Sequence, residues 1–381
     1  MDTDSKFDRA RILLVFLNKL HSRRALPSGP KLLLPFILIV LLLASCTGQF
    51  NVEGGWAAPL ISGDTLFIGT RDGQMLALDK RNGATKWVFP IEDTIEPVYA
   101  TPVMSNDGIL YIGGYDGDVY AINTTNINSV ANVPTLDESR IFSSDGSIIS
   151  SPIINGDTIF IASSNGSIYS VNRTNGALNW KFETGNKIWS TPVIDESIIY
   201  FGSLDHKVYA LNIENGTELW NFQTNAAIAA QPLVIGEKIY IGSFDGIFYS
   251  IEKNTGQEIA RFEANSWFWA TPLHSTPTIY IGSFDHNLYA LNEKTLTSVW
   301  SRPLETDGQI IGGPVIIDNW IAVPSDDENI YVANKSNGGE LHICNVETSI
   351  KADLSTDGDI IYAVGIDKSI RAIRIDINGN P

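Results

Sequence analysis

The 381-residue sequence has few of the residues that catalysis or crosslinking needs, with two cysteines, five histidines and three methionines. It contains no Ser-His-Asp arrangement, no His-Glu-x-x-His motif and no glycine-rich phosphate loop. A zinc site normally takes three or four ligands, whereas the segment holding His342 and Cys344 offers two. The sequence therefore predicts no catalytic, cofactor-binding or metal-binding residue, and no enzyme.

Long apolar stretches are also missing. A membrane-spanning helix needs about twenty apolar residues, but the apolar run at 32–44 has thirteen and follows a segment, 1–31, with seven Lys/Arg and three Asp. A basic leader before a short apolar run is typical of a secretory signal peptide. Residues 1–45 are accordingly predicted to be a signal peptide that is removed on export.

The end of the apolar run, Leu43-Ala44-Ser45-Cys46, resembles the lipobox of bacterial lipoproteins. That resemblance implies cleavage before Cys46 and attachment of a lipid, palmitate included, to this cysteine. The alternative is a signal anchor that happens to contain a cysteine. With Cys46 lipidated, Cys344 has no partner for a disulfide and is expected to be a packed thiol.

Basic residues are scarce in the exported part of the chain. The whole sequence has a formal charge of −17, and without residues 1–45 it keeps 19 Lys/Arg against 40 Asp/Glu. Such a surface repels phosphate backbones, so nucleic-acid binding is not expected.

Eight similar copies occupy most of the chain, at spacings of 40 to 49 residues. The cleanest copy, 191–229, has four short runs rich in Ile, Val, Tyr, Trp and Thr, separated by turn residues, which predicts four antiparallel strands. No run of ten or more residues shows a helical period. The copies begin at residues 68, 112, 161, 201, 241, 281, 323 and 364.

An Asp or Asn lies between the second and third strands of each copy, often before glycine, as in Asp116-Gly117 and Asp245-Gly246. Such dipeptides favour tight hairpins, so these acids are interpreted as turn formers rather than ligand sites. A tyrosine also recurs at one position of the third strand and is expected to pack between blades. These tyrosines are Tyr120, Tyr169, Tyr209, Tyr249, Tyr289 and Tyr331.

Four-stranded units of about forty residues predict an all-β, eight-bladed β-propeller over residues 56–381. The last copy has three clear strands, so the missing strand is expected from Phe50–Glu53, within the 46–55 tether. A polar insertion, 124–147, lengthens one connection and carries Asp137 and Glu138 as candidate partner-binding residues.

The units resemble the pyrroloquinoline-quinone (PQQ) repeat, in segments such as YIGSFDHNLYALN at 280–292. One branch of that family holds PQQ and Ca²⁺. The resemblance implies that members of this branch are larger chains with two adjacent cysteines, and the present sequence has no such cysteine pair. The other branch contains BamB-like lipoproteins of the outer-membrane β-barrel assembly machinery. That branch implies a bare propeller without a cofactor.

A propeller scaffold would bind through its rim loops, where Trp189, Trp267, Phe268 and Trp269 are candidate partner-binding residues. Trp189 and Trp269 share a repeat position with Trp56 and Tyr99, three residues before the first-strand proline or its equivalent. That position is interpreted as packing inside, whereas Trp267 and Phe268 are expected at the surface.

The sequence thus predicts a monomeric, non-enzymatic scaffold, lipid-anchored to a bacterial membrane and binding an envelope protein. The more specific hypothesis is a component of β-barrel assembly, on the periplasmic face of an outer membrane. In a single-membrane cell the protein would lie on the outer face of the cell membrane. The alternatives are a propeller that binds PQQ or a polysaccharide, and a quinoprotein-like enzyme.

Overall fold

A computed structural model describes residues 49–50, 57–91, 95–127, 133–135, 139–339, 341–376 and 378–381, with 49–50 described by backbone alone. The predicted signal peptide, Cys46, Trp56, Asp137 and Glu138 lie outside these residues. Among the described residues, no helix has the length and apolarity needed to cross a membrane.

In the described part of the chain, thirty-two strands form eight four-stranded antiparallel sheets, as expected for eight propeller blades. Blade 1 consists of β2 (Leu60–Ser62), β3 (Thr65–Gly69), β4 (Met75–Asp79) and β5 (Thr85–Phe89). Blade 2 consists of β6 (Val103–Met104), β7 (Ile109–Gly113), β8 (Asp118–Asn123) and β9 (Arg140–Ser143). Blade 3 consists of β10 (Ile153–Asn155), β11 (Thr158–Ala162), β12 (Ser167–Asn172) and β13 (Leu178–Glu183). Blade 4 consists of β14 (Val193–Asp195), β15 (Ile198–Gly202), β16 (Lys207–Asn212) and β17 (Glu218–Gln223).

The second half of the ring repeats this order. Blade 5 consists of β18 (Leu233–Ile235), β19 (Lys238–Gly242), β20 (Ile247–Glu252) and β21 (Glu258–Glu263). Blade 6 consists of β22 (Leu273–Ser275), β23 (Thr278–Gly282), β24 (Asn287–Asn292) and β25 (Leu304–Glu305). Blade 7 consists of β26 (Val315–Ile317), β27 (Trp320–Pro324), β28 (Asn329–Asn334) and β29 (His342–Asn345). Blade 8 consists of β30 (Ser355–Asp357), β31 (Ile360–Val364), β32 (Ile370–Arg374) and β1 (Gln49–Phe50).

Blade 8 combines the two ends of the propeller. Its fourth strand, β1, pairs antiparallel with β32 through Gln49 opposite Arg371 and Phe50 opposite Ile370. The pairing residues thus begin one position before the expected segment 50–53. Since β32 would otherwise end the sheet, this pairing covers an edge whose backbone groups would be open to intermolecular pairing.

The apolar core lies between adjacent blades. Strands two and three are buried on both sides, so they read as nearly continuous apolar runs. Tyr209 of blade 4 packs with Phe160 and Ile168 of blade 3, and Tyr331 of blade 7 packs with Tyr280 and Leu288 of blade 6. The prediction that the repeated tyrosines pack between blades is therefore confirmed for these positions.

The turns between the second and third strands need a left-handed residue after the Asp. Gly246 adopts φ of 81°, and where glycine is absent His206 and His286 take φ of 73° and 71°. The Asp side chain supports the turn, because Oδ1 of Asp205 accepts a 3.1 Å hydrogen bond from the Lys207 amide. The interpretation of these acids as turn formers is confirmed.

Candidate protein-binding face

One face of the propeller carries two kinds of loop. In an antiparallel four-stranded blade, the turn between strands two and three lies at the same end as the connection from strand four to the next blade. Backbone bonds join the two directly, since the amide of Phe284 donates to the carbonyl of Trp267 at 2.9 Å. We call this side the connection face.

The turn acids also hold the connections in place. Oδ2 of Asp205 accepts a 2.7 Å hydrogen bond from the Tyr209 hydroxyl and another of 2.7 Å from the amide of Gly185, in the preceding connection. Asp285 binds Tyr289 at 2.7 Å and the Asn265 amide at 2.9 Å in the same way. These two connections are thus each fixed by a side chain of the next blade, which restricts the motion of this part of the face.

Five rings from blades 4 to 6 meet on this face, and we call them the aromatic cluster: Trp189, Phe244, Trp267, Trp269 and Phe284. Trp269 stacks on Trp189 with a centroid distance of 6.0 Å and on Phe284 at 6.1 Å. Trp267 stacks on Phe244 at 4.8 Å and contacts Phe284 at 5.6 Å. These residues span 96 positions of the chain, from 189 to 284, so the repeat brings them together rather than their proximity in sequence.

Trp267 is the most accessible member of the cluster, with 46% of its surface exposed. Its predicted surface position is therefore confirmed. Trp189 and Trp269 are half-buried rather than enclosed, and the buried indole N–H of Trp189 has no hydrogen-bond partner among the described residues. The favoured interpretation, that their repeat position packs inside, is only partly right, because both rings stay partly exposed and stack on each other at the surface.

Phe268 is fully buried, so the prediction that it lies at the surface is wrong. It packs with Tyr240, Phe248 and Ile279 between blades 5 and 6. The Cβ of Phe268 lies 2.4 Å from the position that a Cβ would take if Gly242 carried a side chain. The same repeat position places Ile228 against Gly202 and Ile310 against Gly282, so Phe268 follows the repeat rather than departing from it.

The channel side of the propeller is also polar and hydrogen-bonded. The Thr101 amide donates to Ser151 Oγ at 3.1 Å, and the Ser151 amide donates to Thr191 Oγ1 at 3.1 Å, one blade further on. Asp353 accepts bonds from the Gly313 amide at 2.5 Å and from Thr271 Oγ1 at 2.8 Å, and burial raises its pKa. Both of its oxygens are thus used within the ring.

Cys344 lies in the apolar layer between blades 7 and 8, beside Val346 and Ile373. The expectation of a packed side chain is confirmed by its 1% exposure. The expectation of a free thiol is wrong, because Cys344 is disulfide-bonded. The other cysteine of the sequence, Cys46, lies outside the described residues.

The insertion at 124–147 alters the packing between blades 1 and 2. In blade 3, Trp180 of the fourth strand packs against Gly216 of the next blade. The contact is so close that a Cβ added at Gly216 would lie 2.6 Å from the indole ring. At the equivalent Trp87, Thr124 and Thr125 instead line a cavity of about 700 Å³. The candidate binding residues Asp137 and Glu138 lie outside the described part of this insertion, so their role stays a prediction.

Comparison with known proteins agrees with this architecture. BamB from Moraxella catarrhalis aligns with a TM-score of 0.67 and 17% identity, over 85% of this chain and 98% of that one. The computationally designed Ika8 protein aligns with a TM-score of 0.70 and 17% identity, over 87% of this chain and 98% of that one. At such identities these likenesses show the fold alone.

A weaker match is the serine/threonine-protein kinase AfsK of Streptomyces griseus, 27% identical over 143 residues. The match covers 36% of this chain and 16% of the kinase. A family model described as outer membrane protein assembly factor BamB matches residues 47–205, 135–261 and 204–316. Since these matches cover well over half of the chain, the protein belongs to that family of PQQ-repeat propellers.

Proposed function

We propose that this protein is a non-enzymatic scaffold of the bacterial envelope that binds another protein through its connection face. The observation that carries this proposal is the half-exposed Trp267 within the aromatic cluster. Tryptophan is enriched among the few residues that dominate interface energies, especially where neighbouring groups exclude water from it. The stacked rings around Trp267 supply such surroundings.

The rigidity of the face supports the same proposal. Asp285 holds the start of the connection that carries Trp267, through the Asn265 amide at 2.9 Å. The buried Phe268 holds the connection from the other side, between blades 5 and 6. A surface fixed in advance loses little conformational freedom on binding, so more of its contact energy appears as affinity.

The specific role that we propose is assembly of outer-membrane proteins, with a β-barrel assembly component as the partner. It is supported by the family description, which names an outer membrane protein assembly factor. The partner and its complex would lie in the periplasm, where a lipoprotein anchored to the outer membrane faces inward.

The proposed anchor is lipid on the sulfur of Cys46, which the lipobox-like Leu43–Cys46 segment supports. Cys344 is disulfide-bonded in the structure and the chain has one other cysteine, so the proposed lipid on Cys46 requires that the anchored form lack an intrachain disulfide at Cys344. Intact-mass measurement of protein purified from membranes distinguishes them. An acylated mature chain with one free thiol supports the anchor, whereas an unacylated chain with no free thiol refutes it.

Photo-crosslinking tests the scaffold itself. A benzophenone amino acid replaces Trp267 in the full chain, and a control replaces the exposed Glu214 in the β16–β17 turn on the opposite face. We expect a crosslinked envelope protein from position 267 alone, identified by mass spectrometry. Equal crosslinking from both positions, or none from 267, would remove the support for binding at this face.

A further inference from the structure

The loops and turns around the aromatic cluster are strongly acidic. They comprise residues 183–189, 204–206, 223–229, 244–246, 263–269, 284–286 and 305–311 and contain a single lysine, Lys187, and no arginine. Their seven carboxylates belong to Glu183, Asp205, Asp245, Glu263, Asp285, Glu305 and Asp307. This part of the connection face therefore combines exposed aromatic surface with net negative charge.

Two of these carboxylates belong to residues that pair with the ends of the ring-bearing turns. Glu263 pairs with Ile247, at the end of the turn that carries Phe244, and Glu305 pairs with Asn287, at the end of the turn that carries Phe284. Both glutamates are exposed. They end the fourth strands β21 and β25, beside the two turns whose rings contact Trp267.

The chain itself shows how a cation fits such a surface. The Lys187 ammonium lies 5.9 Å from the ring centroid of Trp189, within the range of a cation–π interaction. Trp267 has one neighbour stacked at 4.8 Å and keeps 46% of its surface open. Its ring could accept a cation from a partner in the same manner.

We propose that this acidic, aromatic surface binds an extended basic segment of the partner protein, in which arginine or lysine alternates with apolar residues. The inference rests on the proposed scaffold function and specifies the chemistry of its partner. Arginine fits best, because its planar guanidinium stacks on aromatic rings and also pairs with carboxylates. The carboxylates repel acidic segments, and an uncharged glycan could donate hydrogen bonds from its hydroxyls to them but would gain no charge pairing.

Two matched peptides test this chemistry, the amides of Gly-Arg-Leu-Arg-Gly and Gly-Glu-Leu-Glu-Gly. Each is titrated into the full chain labelled with 5-fluorotryptophan, with the Trp267 resonance assigned by Trp267→Phe. We expect the arginine peptide alone to shift that resonance, and high salt to weaken its binding because salt screens exposed charges. Glu263→Gln and Glu305→Gln should each weaken binding about two- to fivefold. Glu214→Gln, with the same charge change on the opposite face, should leave it unaltered.

Three results would overturn the proposal: equal shifts with both peptides, no shift with either, or a shift with cellotetraose in place of the arginine peptide. These outcomes are separable from failure of the scaffold function. A partner crosslinked at position 267 through a segment that is not basic would leave the scaffold standing and refute the basic segment. Arginine-peptide binding without any protein crosslinked at position 267 would support the basic-segment chemistry and remove the support for the scaffold function.

Discussion

The carboxylate of Asp245 accepts a 2.7 Å hydrogen bond from the hydroxyl of Tyr249, four residues along the chain. The same Oδ2 accepts a 3.0 Å bond from the Asn225 amide of the preceding connection, and Oδ1 accepts one of 3.0 Å from the Ile247 amide. One side chain thus joins a tight turn, a buried strand and a blade connection. The pair recurs in blades 2, 4, 6 and 7, with Asn165 replacing the acid in blade 3.

Removal of one such hydroxyl should destabilise the fold. Tyr249→Phe leaves the ring in place but removes a bond to a charged group, so we expect a loss of about 1 to 3 kcal/mol in the free energy of unfolding. Urea denaturation measures it. Tyr115→Phe is the control, because Tyr115 is 42% exposed, and its effect should stay within about 0.5 kcal/mol. Equal effects of the two changes would argue against the bond's contribution.

Alkaline pH should weaken the same interactions. Burial and the hydrogen bond to Asp327 raise the pKa of Tyr331 to about 12, whereas an unfolded tyrosine titrates near about 10. The folded state therefore holds this proton more tightly, so the stabilisation is complete below about pH 10 and is lost as pH rises through about 12. Denaturation at stepped alkaline pH measures the loss. With Tyr331→Phe, the free energy of unfolding should fall less steeply as pH rises. An unchanged pH dependence would contradict the contribution of the Tyr331 hydroxyl.

The fold was largely predictable because each repeat contains its own strands and turns. Short runs rich in Ile, Val, Tyr, Trp and Thr and the Asp-Gly dipeptides are local signals, and four strands per forty residues follow from them. The second role of the Asp, binding the preceding connection, was not predictable. That contact joins Asp205 to Gly185, twenty residues earlier, and it forms only when the connection folds against the turn of the next blade.

The contacts of the binding face were likewise predictable only in part from local sequence signals. Trp267 was identifiable as an aromatic outside the repeat positions, but its neighbours Phe244 and Phe284 come from turns of two blades. Phe268 was misassigned although a signal existed. Ile188, Ile228 and Ile310 stand at the same distance before a first-strand proline, and all three are fully buried. Comparing that column across the repeats would have placed Phe268 in the core.

Adjacent residues on one connection should therefore respond oppositely to truncation. Phe268→Ala removes a fully buried ring and should cost about 3 to 5 kcal/mol in stability. Trp267→Ala should cost far less stability, yet weaken partner binding at least tenfold if Trp267 is an interface anchor. Thermal or urea unfolding of both variants, together with recovery of the crosslinked partner from a neighbouring position, measures the contrast. A folding defect of equal size in both variants would contradict the separate roles.

The closure of the ring by β1 should be needed for stability. Replacing Gln49 and Phe50 together by proline removes the amide donors that can pair with β32, whereas replacing both by alanine keeps them. We expect the proline variant to exchange the backbone amides of Ile370–Arg374 faster, to unfold more easily and to aggregate through the uncovered edge. Hydrogen exchange followed by mass spectrometry measures the first effect, with the alanine variant as the control. If the two variants exchanged β32 amides at the same rate, backbone pairing by β1 would not be what protects that strand.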